Sequence, residues 1–91
     1  MASQKDASLF AALATAAQRR MGDFNPQELA NTAWAFATAS QNDVPLFQAL
    51  ASAAERHICD FNLQELANTA WAFATAGQKN ALLFPAFRKA L

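Results

Sequence analysis

The chain repeats itself with a shift of 37 residues, and nothing else in it constrains the fold so strongly. Asp23 to Gln41 reads DFNPQELANTAWAFATASQ and Asp60 to Gln78 reads DFNLQELANTAWAFATAGQ, with differences only at Pro26/Leu63 and Ser40/Gly77. Residues 2–38 match residues 39–75 at 27 of 37 positions, and Leu83-Phe84 continue the register of Leu9-Phe10 and Leu46-Phe47. A unit this short cannot bury its apolar face alone, so successive units must lie against one another. The single segment 1–91 therefore divides into repeats 2–38 and 39–75 and a partial repeat 76–91.

Each unit reads as two helices. Alanine, the best intrinsic helix former, supplies 24 of the 91 residues, against two glycines and three prolines. Asp6 is placed to cap a helix running to about Met21, with Leu9, Phe10, Leu13, Ala14, Ala17 and Met21 at helical spacing, and Asp43 begins its twin, running to about Ile58. In the second half of the unit Asn25 is a cap, Pro26 takes the first helical position, and Glu28 stands three residues after the cap; Asn62, Leu63 and Glu65 repeat the scheme. These motif helices are expected over about 26–40 and 63–76, the second stopped by Gly77. A fifth helix is expected near Asn80, with Pro85 delaying or kinking it.

Short helices joined by connections of a few residues pack as antiparallel hairpins. Hairpins with a fixed period form an all-α, α-solenoid architecture, here of about two and a half repeats and five helices. Ala30, Ala33 and Ala37, with Ala67, Ala70 and Ala74, permit close helix approach, while Phe24, Leu29 and Phe36 with Phe61, Leu66 and Phe73 fill the space between layers. The repeat is already running at residue 2 and breaks off within a helix at Leu91, which leads us to expect a piece of a longer array whose open ends favour self-association.

Charge and residue type narrow the function. Seven Lys plus Arg balance seven Asp plus Glu, so the strongly basic field of many nucleic-acid binders is absent. One Cys and one His supply neither a disulfide framework nor a structural zinc site. The longest apolar run, Leu9 to Ala14, is far too short for a bilayer, and residues 1–20 recur as an internal helix, which argues against a targeting segment. Most acids have structural work at helix starts, His57 and Cys59 have no counterpart in the first unit, and no glycine-rich loop can cradle a phosphate. No catalytic residue, cofactor or metal is therefore expected.

Binding faces remain. On a helical wheel Gln27, Asn31 and Thr38 fall together opposite the buried side, with Trp34 at their border, and Gln64, Asn68, Thr75 and Trp71 repeat them. Such amides and indoles suit hydrogen bonding and stacking to unpaired bases. Alternatively Asn31 and Asn68 bond to neighbouring backbone between layers, and Trp34 and Trp71 belong to the core, which is the reading we favour for the two Trp. A second candidate face lies on the partner helices, where Thr15, Gln18, Ser52 and Glu55 point away from the Leu/Phe stripe and differ between units. Arg19 and Arg56 end successive partner helices, where they can meet phosphates of an extended strand or complement helix C-termini.

The block FNPQELANTAWAFATA, a short loop and a Leu-Phe helix resemble the octotricopeptide repeat and its relative, the heptatricopeptide repeat, whose period is nearer 37. The most specific positions are Phe24, Gln27, Leu29, Ala30, Asn31, Trp34, Ala35 and Ala37 with their copies Phe61, Gln64, Leu66, Ala67, Asn68, Trp71, Ala72 and Ala74. The resemblance implies an α-solenoid that binds single-stranded RNA in a mitochondrion or chloroplast, for RNA maturation, stability or translation, without chemistry of its own. The rival expectation is a protein-binding or structural scaffold within a larger assembly such as a ribonucleoprotein.

Overall fold

The computed structural model describes the backbone of residues 4–77 and the side chains of residues 8–77. The described part is all-helical. In chain order it comprises α1 (Gln4–Arg19), a 3-10 turn (Met21–Asp23), α2 (Pro26–Thr38), α3 (Val44–Arg56), a second 3-10 turn (Ile58–Asp60) and α4 (Leu63–Thr75). The fifth helix expected near Asn80, and Pro85 with it, lie outside the described residues.

Local sequence explains most of these boundaries. At the start of α2 the Glu28 N–H donates to Asn25 Oδ1 at 2.8 Å and the Asn25 N–H donates to Glu28 Oε1 at 2.9 Å; Asn62 and Glu65 form the same reciprocal cap on α4 at the same distances. Two of the otherwise unpaired donors of a helix N-terminus are thereby satisfied. Asp43 Oδ1 accepts from the Leu46 N–H at 2.9 Å, with proline in the first turn of α3. At the other end of α2, Ser40 takes a left-handed conformation (φ 59), its N–H donates to the Ala37 carbonyl, and the Gln41 N–H donates to the Phe36 carbonyl, the two bonds of a Schellman stop. Gly77 takes the same conformation (φ 71) after α4.

Three expectations are corrected. Asp6 lies within α1, which begins at Gln4; Ser8 holds the place of Pro45, so no proline fixes the start as it does in α3. The partner helices end at Arg19 and Arg56, and Met21 and Ile58 belong instead to 3-10 turns closed by Asp23 N–H to Arg20 carbonyl and Asp60 N–H to His57 carbonyl bonds. Gly22 in one turn and Cys59 in the other show that glycine is not required there. The motif helices stop at Thr38 and Thr75, where the left-handed residue two positions on ends the regular hydrogen-bond series.

Packing repeats along with sequence. Phe10 of α1 meets Phe36 of α2 edge to face with ring centroids 5.3 Å apart, and Phe47 of α3 meets Phe73 of α4 edge to face at 5.1 Å. These pairs join the first half of one helix to the end of the next, as in an antiparallel hairpin. Between the units, α2 lies against α4 and α1 against α3. The Trp34 and Trp71 rings, at equivalent positions, approach to 6.5 Å, so the two motif helices run side by side in register. The core sits where the hairpins join: Leu29, Ala33, Leu46, Phe47, Leu50, Ala72 and Phe73 are all buried. Each buried Leu or Phe contributes roughly 1.5–3 kcal/mol from apolar surface removed from water.

Candidate functional site

Positions 27, 31, 34 and 38 fall within about 60° of one another on α2 at 100° per residue, and their counterparts do so on α4. Because the two helices lie in register, the stripes run parallel on one surface. Gln27, Asn31, Trp34, Thr38, Gln64, Trp71 and Thr75 are exposed, and Asn68 is half-buried. At the N-terminal end of this surface the helices leave a shallow groove of about 220 Å³ lined by Gln27, Ala30, Asn31, Asn62, Gln64, Glu65 and Asn68. The structure thus brings Gln27, Asn31, Gln64 and Asn68 to one place.

The amides are unspent. Among the described residues the Gln27, Asn31, Gln64 and Asn68 side chains take part in no hydrogen bond, in contrast to Asn25 and Asn62, which serve as caps. The alternative in which Asn31 and Asn68 tie the layers together through backbone groups is not what the structure shows. Each helix instead offers donors and an acceptor side by side toward the groove.

The expectation that the two Trp belong to the core is corrected: Trp34 is 48% and Trp71 49% exposed. They lie against each other, 31° from parallel, beyond the groove on the same surface. Hydrophobicity ranks Trp as a core residue, but its spacing of seven from Gln27 carries the opposite signal and overrides it. Paired indoles left half in water form an apolar platform in an otherwise polar surface.

The electrostatics of the groove are mild. Among the described residues Glu65 is its one charged lining residue, and that carboxylate is held by the Asn62 N–H. No described Lys or Arg lines it. Arg19 and Arg56 are exposed in the last turns of α1 and α3, favourably placed against the partial negative charge of those helix ends. On the partner helices Thr15, Gln18 and Ser52 are exposed and Glu55 is half-buried, and none lines the groove. The Thr15 hydroxyl donates to the Ala11 carbonyl at 3.1 Å. The two candidate faces are therefore separate surfaces.

Cys59 is a free, exposed thiol, and His57 Nδ1 lies 3.9 Å from the Asp60 carboxylate, beyond hydrogen-bond distance. Among the described residues no three His, Cys, Asp or Glu side chains gather into a metal-binding group, and no helix is long and apolar enough to cross a membrane. Comparisons with protein-family models, with curated proteins and with solved structures return no match.

Proposed function

We propose that this chain is a non-catalytic segment of an α-solenoid that grips single-stranded RNA along the α2–α4 surface. The observation that carries this reading is the pair of exposed stripes in register, Gln27–Asn31–Trp34 and Gln64–Asn68–Trp71, which sets free amides beside an indole platform. Bases in an unpaired strand present hydrogen-bonding edges and flat faces together, and this surface offers a partner for each. The stacking of α2 on α4 and of α1 on α3, with the same Phe–Phe contact inside each hairpin, supports a solenoid. The resemblance to octotricopeptide and heptatricopeptide repeats supports an organellar RNA as the ligand, and the mitochondrion or chloroplast as its compartment. Because the two stripes are chemically identical, they grip common features of a strand or read the same base twice.

A second reading, a scaffold that binds a protein segment, is favoured by the groove having no cation among its described lining residues and by the net charge of zero. Salt separates the two. Trp34 and Trp71 are the chain's two tryptophans, so their fluorescence reports directly on the surface in question. Titration with single-stranded RNA is expected to quench it, with an affinity that falls as salt rises. Replacing either Trp by Ala is expected to weaken binding by about 1–3 kcal/mol, the usual worth of one stacked base. Fluorescence unchanged at saturating RNA in low salt would overturn the RNA reading in favour of the scaffold.

A further inference from the structure

We infer that the face of α1 and α2 turned away from the second unit docks α4 of a second copy of this chain, through the same contact that joins the two units within one chain. The first unit shows on this face what the second unit buries. Leu9 and Leu13 are 56% and 46% exposed, whereas Leu46 and Leu50, their equivalents, are 0% and 1% exposed. Ala35 is exposed and its equivalent Ala72 fully buried; Thr32 is half-buried and Thr69 buried. These residues lie along one side of their helices, about 40–100° from the Phe10 and Phe36 faces that close the hairpin. Between α1 and α2 they bound an open, mostly apolar groove of about 290 Å³ that includes Leu13, Thr32, Ala35 and Phe36.

What fills the equivalent place in the second unit is known. There the covering surface is the opposite side of α2, where Ala30 and Ala37 are buried against α4. The matching side of α4 carries Ala67 and Ala74, and both are exposed. The described residues thus hold an assembled interface and one further, exposed copy of each of its two halves. The uncovered half is also chemically ready for burial. The Thr32 hydroxyl donates to the Glu28 carbonyl at 2.7 Å, as the buried Thr69 hydroxyl does to Glu65, so covering it leaves that hydroxyl paired. The two surfaces differ from each other, which makes the contact head-to-tail and open-ended rather than a closed two-fold dimer.

Sedimentation of the intact chain over a range from about 1 µM to about 1 mM, where contacts of modest area register, tests this. The average mass is expected to climb with concentration past that of a dimer. Leu13→Glu and Ala74→Glu each place a charge on one half at an exposed position, with helical circular dichroism retained. Each variant alone is expected to remain monomeric, while an equimolar mixture pairs the intact half of one with the intact half of the other and stops at a heterodimer. A wild-type chain that stays monomeric throughout, a single variant that still associates, or a mixture that remains monomeric while the wild type grows would each overturn the inference.

Discussion

Helices α2 and α4 differ at one residue, Pro26 against Leu63, and their local structure is correspondingly the same. Both carry the Asn–Glu reciprocal cap at 2.8 and 2.9 Å, both have a threonine hydroxyl donating to a carbonyl four residues back at 2.7 Å, and both end before a left-handed residue. Their burial is not the same. Ala37 is buried and Ala74 exposed, while Ala35 is exposed and Ala72 buried. Near-identical sequences therefore share a backbone yet bury opposite sides. The cause is translation: the trailing side of the first unit meets the leading side of the second, and among the described residues neither outer side meets such a partner.

The sharpest way to break this comparison is a matched pair of truncations. Leu50→Ala opens a cavity at the junction of the units and is expected to cost about 2–5 kcal/mol, whereas Leu13→Ala, at the equivalent but open position, is expected to cost less than about 1 kcal/mol. Urea unfolding followed by circular dichroism measures both, and equal losses would mean that the two leucines share one environment. A smaller effect tests sameness instead. Asn25→Ala and Asn62→Ala each remove a cap whose geometry is the same in both helices, so each is expected to lose about 1 kcal/mol, and a twofold disparity would show that packing sets the cap strength.

The smallest effect concerns Ser40, the one non-glycine residue with a left-handed backbone among the described residues. Ser40 holds a left-handed conformation that Gly77 adopts freely in the second unit. Ser40→Gly is expected to stabilise by about 0.5–1 kcal/mol and Gly77→Ser to destabilise by a similar amount, as read from the urea midpoint. Opposite signs sharpen the comparison. Like signs would show that the two stops are built differently.

The helices were legible from sequence because their signals are local. Asn25, Asn62 and Asp43 each cap by bonding a backbone N–H three residues on, a relation that needs no neighbour. Asp6 misled because a capping residue without a following proline permits the helix to start earlier. The Trp pair misled for a different reason: burial depends on what stands opposite, and hydrophobic character alone does not reveal that Trp34 and Trp71 face each other at the surface. Which alanines are covered was illegible altogether, since Ala35 and Ala72 stand in the same local sequence. Of the candidate site, Gln27, Asn31, Gln64 and Asn68 were found because a polar stripe on an alanine-rich helix has to face outward. The contributions of Asn62, Glu65 and Ala30 to the groove arise only when two units are set side by side.

Translation of one unit onto the next is tested most directly by nuclear Overhauser contacts among the aromatic rings. Side-by-side motif helices require cross-peaks between the Trp34 and Trp71 indoles, together with Phe10 to Phe36 and Phe47 to Phe73. Indoles without a mutual cross-peak, accompanied by contacts from the Leu9 and Leu13 methyls to α4 within a monomer, would instead describe a closed four-helix cluster and contradict the account.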